Sequence, residues 1–70
     1  MSIVVYGKPD CPQCIKTQED LTKHKLTYTW IDITLPENSK HLKKIRGLGF
    51  RSEPVIMEDG EPVSLGYLLS

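Results

Sequence analysis

The two cysteines of the chain stand three positions apart in Cys11-Pro12-Gln13-Cys14. Two thiols at that spacing can cycle between dithiol and disulfide, or form one side of a thiolate metal site. An apolar run, Ile3-Val4-Val5-Tyr6, ends at the breaker cluster Gly7-Lys8-Pro9-Asp10, and a polar, helix-permissive stretch follows the cysteines. Cys11 is thereby placed at the start of a helix, where backbone N–H groups lack internal partners and favour a negative neighbour. A thiolate is such a neighbour, and it is the reactive form of cysteine. The interaction is worth about 0.3–1 kcal/mol, so Cys11 is expected to be activated moderately, with Lys8 assisting and Asp10 opposing. A reversible dithiol is the leading reading.

The size of the chain supports it. At 70 residues a single core is only marginally sufficient without a staple. A disulfide between Cys11 and Cys14 would close too small a loop to restrain the unfolded chain much, so it needs a chemical reason. With 39% hydrophobic and 26% charged residues, and nine basic residues against nine acidic ones, the composition is globular and neutral. That argues against nucleic acid or a charged membrane surface as partner. The first twenty residues lack a basic start followed by an apolar segment, and no apolar run approaches a membrane span, so a cytoplasmic protein is expected.

In a reducing compartment an isolated Cys-x-x-Cys is catalytic or metal-binding. The rival reading is a small zinc-binding module built on Cys11 and Cys14. His24 and His41 would have to complete it, but their spacing does not match a zinc pair, and they are read as surface helix residues. No metal is therefore assigned. Lys40, Lys43, Lys44 and Arg46 are read as a solvated helix face, and Tyr28 and Trp30 as strand packing. Tyr6, just before the cysteines, fits either the core or a wall of the dithiol.

The elements that must position the cysteines follow from periodicity. Residues 3–6 are apolar throughout, as in a central strand covered on both faces. From Cys11 onward, positions 11, 14, 15, 18, 21 and 22 make a weak helical stripe. Residues 27–33, Thr-Tyr-Thr-Trp-Ile-Asp-Ile, alternate and are rich in β-branched and aromatic types, which predicts a strand parallel to the first. Thr34 and Glu37 form an apparent capping box for a second helix running to about Arg46 and stopped by Gly47. The Asp59-Gly60 pair predicts a hairpin, with Pro62 marking an edge strand, and the last six residues allow a short terminal helix.

This order, strand, helix, strand, helix, hairpin and short helix, is that of a minimal thioredoxin-like α/β fold, with one mixed four-stranded sheet in a single domain over residues 1–70. The chain resembles the glutaredoxins, and among them the NrdH-type redoxins. The resemblance is carried by Lys8-Pro9-Asp10-Cys11-Pro12-Gln13-Cys14, by Gly49-Phe50-Arg51-Ser52-Glu53-Pro54-Val55-Ile56 and by Gly66-Tyr67. It implies a thiol–disulfide oxidoreductase with Cys11 as nucleophile and Cys14 as resolving cysteine, holding no cofactor beyond a redox-active Cys11–Cys14 disulfide. Pro54 corresponds to a cis-proline facing the dithiol, so Lys8, Pro12, Gln13, Glu53 and Pro54 are the expected substrate-binding residues. The backbone of Glu53 is expected to pair with an extended substrate segment.

The partners implied are thioredoxin reductase, or alternatively glutathione, as electron donor, and the large subunit of ribonucleotide reductase as acceptor; the protein is expected to be a monomer. Departures from the family bear on the donor. Ser52-Glu53-Pro54 replaces the Thr-Val-Pro of glutathione-using glutaredoxins, and Gly66-Tyr67-Leu68-Leu69 replaces a Gly-Gly pair followed by an acid. Lys8 matches the lysine that many glutaredoxins place near the glutathione carboxylate. Ser64-Leu65-Gly66-Tyr67 stands where NrdH-type chains usually carry Trp-Ser-Gly-Phe. Glu53 is expected to oppose thiolate formation at Cys11 and to repel glutathione, unless its side chain points into solvent or is neutralised by Lys8 or Arg51.

Overall fold

The computed structural model describes residues 2–70; Met1, the first residue of the expected domain, lies outside that range. The central strand β1 (Ile3–Gly7) leads through residues 8–11 into helix α1 (Pro12–Lys23), which returns the chain to strand β2 (Thr29–Asp32). A 3-10 turn (Pro36–Asn38) leads into helix α2 (Ser39–Gly47), followed by strands β3 (Val55–Glu58) and β4 (Glu61–Val63) and the short helix α3 (Leu65–Leu69). The sheet order is β2-β1-β3-β4. β1 and β2 are parallel, with Val4 opposite Thr29 and Gly7 opposite Asp32. β3 is antiparallel to β1, and β4 is antiparallel to β3 at the edge, where Pro62 lies. This is the expected mixed α/β sheet.

Alternation along β1 divides the core into two layers. Ile3 and Val5 join Leu21 of α1 and Ile56, with Leu65, Leu68 and Leu69 of α3 packed against them. Tyr6 joins Ile33, Val55 and Met57 around Ile45 of α2. A strand apolar at every position is what two covered faces require.

Three local expectations are corrected. The buried stripe of α1 is Cys14, Thr17 and Leu21, whereas Ile15 and Thr22 are exposed. Thr17 tolerates burial because its hydroxyl donates to the Gln13 carbonyl at 2.9 Å. Thr34 caps no helix. Its backbone N–H and hydroxyl both donate to the Asp32 carboxylate, forming a turn that ends β2, and Glu37 falls in the 3-10 turn. Gly47 is still helical, and the stop is Gly49 at φ +99°. There Phe50 N–H bonds to Ile45 C=O and Gly49 N–H to Arg46 C=O, with the Phe50 ring packed on the core around Ile45. This is a Schellman closure, and it aims the following loop at the cysteines.

Candidate active site

Cys11 is the N-cap residue of α1, with extended backbone (φ −96°, ψ 113°), and Pro12 occupies the first helical position, where its missing N–H costs nothing. The N–H of Cys14 therefore has no carbonyl partner inside the helix and donates to Cys11 Sγ at 3.2 Å. The two thiols are unequal: Cys11 is half-buried at the helix start, whereas Cys14 is fully buried one turn in. Burial, the hydrogen bond with Cys11 and the charges of Cys11 and Glu53 push the Cys14 thiol up to about 11, against an opposing backbone interaction at Lys8.

The end of β1 makes room for this sulfur. A Cβ on Gly7 would lie 2.7 Å from Cys14 Sγ and 2.7 Å from the tip of the Trp30 ring, so only glycine fits between them. Gly7 and Trp30 wall the buried thiol. Tyr6 does not, because it points into the α2 layer and packs on His41 with ring centroids 5.7 Å apart. His41 is thus partly covered rather than a free surface group. His24 caps the far end of α1, ten residues beyond Cys14, or about 15 Å along the axis. Neither histidine converges on the cysteines, and among the described residues no group of three or more metal-ligating side chains does so.

An open cleft of about 390 Å³ borders Cys11 and is lined by Lys8, Asp10, Cys11, Arg51, Ser52 and Glu53. Of the expected site residues it gathers Lys8, Cys11 and Glu53. Pro12 and Gln13 lie exposed on the first turn of α1, and Pro54 is half-buried after a cis Glu53–Pro54 peptide.

Of the settings expected for Glu53, the structure shows neutralisation by Lys8 and not exposure to solvent or pairing with Arg51, and it adds Arg46 as a second partner. Its side chain is only 4% exposed; Lys8 Nζ lies 3.1 Å from Oε1, and the Arg46 guanidinium lies 3.3 and 3.4 Å from Oε2. Arg46 also donates to the Phe50 carbonyl at 3.1 Å. Sequence reading placed Arg46 with the solvated lysines; its position in the last turn of α2, just before the Gly49 closure, was the one signal that it could reach the loop.

Comparison with known proteins agrees with this geometry. The glutaredoxin family model matches residues 3–63. The chain belongs to the glutaredoxin family. Within it, this redoxin is of the NrdH type: it is 32% identical over 57 residues to glutaredoxin-like NrdH proteins from two subspecies of Lactococcus lactis, cremoris and lactis, covering 81% of this chain and 76% of each relative. The structure of the glutaredoxin-like protein NrdH-redoxin from Escherichia coli superposes with a TM-score of 0.82 at 25% identity, covering 91% of this redoxin and 82% of that chain. A glutaredoxin from Archaeoglobus fulgidus shares the fold at a TM-score of 0.76 and 24% identity, covering 96% of this chain and 80% of that one. The redoxin is accordingly a thiol–disulfide oxidoreductase.

Proposed function

We propose that this redoxin carries electrons to protein disulfides through Cys11 and Cys14, acting as a single thioredoxin-like domain over residues 1–70. The observation that carries the reading is the N–H of buried Cys14 directed at the half-buried Cys11 sulfur, 3.2 Å away. Cys11 as thiolate attacks one sulfur of a substrate disulfide; a new S–S bond forms and the other substrate sulfur leaves as thiolate. Cys14 then loses its proton and attacks Cys11, releasing the second substrate thiol and leaving the Cys11–Cys14 disulfide. Two electrons pass to the substrate. The N–H bond to Cys11 stabilises negative sulfur both when Cys11 attacks and when it is regenerated.

In this reading the substrate segment lies along Lys8, Pro12, Gln13 and the backbone of Glu53 and Pro54. The acceptor proposed is the large subunit of ribonucleotide reductase and the donor thioredoxin reductase, with the protein acting as a monomer in the cytoplasm. The kinship with NrdH proteins supports the first, and the thioredoxin-like activity profile named for the Escherichia coli NrdH-redoxin supports the second. The other donor, glutathione, would use Lys8, which here is engaged by Glu53. An NADPH-coupled assay comparing thioredoxin reductase with glutathione plus glutathione reductase decides between them. Faster turnover with thioredoxin reductase is expected, and faster turnover with glutathione would reverse the donor assignment.

A further inference from the structure

We infer that the Glu53 carboxylate is a built-in occupant of an anion seat formed by Lys8 and Arg46 beside Cys11, and that it sets the redoxin against small disulfides that carry carboxylates. The inference rests on the dithiol reading above. Lys8 reaches the seat from the loop after β1 and Arg46 from the end of α2, and the carboxylate between them is 4% exposed while the two cations stay 46% and 30% exposed. Glu53 Oε2 takes the guanidinium, whereas buried Oε1 has no hydrogen-bond donor and is held by the charge of Lys8 alone. Stability does not explain an acid here, because buried ion clusters rarely outperform apolar side chains of similar size.

The consequence for the cleft is a cancelled charge. Its charged lining consists of Lys8 and Arg51 against Asp10 and Glu53, and Arg46 behind Glu53 offsets the Cys11 thiolate, so three positive charges face three negative ones. A carboxylate-bearing disulfide approaching Cys11 therefore meets a lysine already neutralised and no net attraction. Without the Glu53 charge the lining becomes positive and Lys8 is free to turn toward the incoming anion. An extended protein segment recognised through its backbone is indifferent to this difference. Glu53 is thus a specificity-determining residue, acting through Lys8.

The test compares single-turnover reduction of dithiobis(nitrobenzoate), which carries two carboxylates, with that of dithiodipyridine, which carries none, by the reduced full chain and by Glu53→Gln and Glu53→Leu. Each probe accepts two electrons from the dithiol, so its intrinsic reactivity cancels when the anionic-to-neutral rate ratio is compared between variants. At low ionic strength that ratio should rise about 3–10-fold in both variants, and the gain should shrink in about 0.5 M salt. In the parent chain the ratio should change by less than about twofold with salt, because the lining charges cancel. A ratio in either folded variant within about twofold of the parent overturns the inference. So does a strong salt dependence in the parent chain, a result that needs no variant to fold. Failure of the parent chain to reduce one dithiodipyridine per chain would instead overturn the dithiol reading.

Discussion

The backbone N–H of Cys14 donates to the sulfur of Cys11 across 3.2 Å, so the residue that lies deeper in the helix supports negative charge on the one that lies nearer the solvent. Burial and the raised Cys14 thiol both disfavour Cys14 as the attacking sulfur. Cys14 is fully buried with its thiol pushed up to about 11, leaving only about one molecule in ten thousand as thiolate at pH 7. Limited alkylation of the reduced protein with iodoacetamide should label Cys11 first, as read by peptide mass spectrometry. Cys14→Ser should accumulate a stable mixed disulfide on Cys11, whereas Cys11→Ser should not form one on Cys14. Labelling that begins at Cys14 would reverse the assignment of roles.

The same burial gives a pH dependence with a definite sign. A thiol whose folded value is raised from 9.0 to about 11 holds its proton more tightly folded than unfolded, so its stabilising contribution is complete below pH 9. It is lost as pH rises from 9 toward 11, by about 1–3 kcal/mol in the reduced protein. Lysine and tyrosine titration overlaps that window, so the measurement is a difference: the Tm of the parent chain should fall more steeply between pH 8 and about 10.5 than that of Cys14→Ala. Parallel pH profiles would show that the buried thiol is not the group responsible.

Gly7→Ala should damage the site from behind. The added methyl would sit 2.7 Å from Cys14 Sγ and 2.7 Å from the Trp30 ring tip, closer than van der Waals contact permits, and both neighbours are anchored in packed elements. Overpacking of this kind costs about 1–3 kcal/mol, which a urea unfolding curve resolves. The resolving step should slow as well, because Cys14 is the group displaced. A variant as stable as the parent chain would mean that the space between sulfur and indole is larger than the structure gives.

Much of this was readable from the chain. The fully apolar run at residues 3–6 announced a central strand, and Asp59-Gly60 announced the hairpin, where both residues do adopt positive φ, 50° and 86°. The cysteine pair and the cis peptide before Pro54 were expected from the motif. What stayed hidden depends on contacts rather than on period. Gly47 and Gly49 look equally able to stop α2, and the packing of Phe50 near Ile45 selects the second. Thr17 reads as polar, yet its hydroxyl is satisfied one turn back and it faces inward. Arg46 resembles the three lysines near it, and only the folded loop shows that it faces Glu53.

Arg46 leads to a prediction about how the loop before Pro54 is held. The guanidinium bridges the Phe50 carbonyl at 3.1 Å and Glu53 Oε2 at 3.3 Å, tying both ends of residues 50–53 to α2. Arg46→Ala would remove both bonds and leave a carboxylate that is 4% exposed with Lys8 as its remaining partner. Taking one member from such a cluster strands the other, which costs up to 3–5 kcal/mol in a dry interior. Because Arg46 itself is 30% exposed, water can reach the gap and a loss of about 1–3 kcal/mol is expected. Lys8→Ala should cost less, since Lys8 makes one contact from a more open position. In Arg46→Leu/Glu53→Leu both charges are gone and no acid is stranded, so most of the loss should be recovered. The coupling energy of the cycle closed by the single variants Arg46→Leu and Glu53→Leu, from urea unfolding, should exceed about 1 kcal/mol. Additivity within about 0.5 kcal/mol would show that the loop is held by its backbone and the Schellman closure alone, with the ion cluster contributing little to its position.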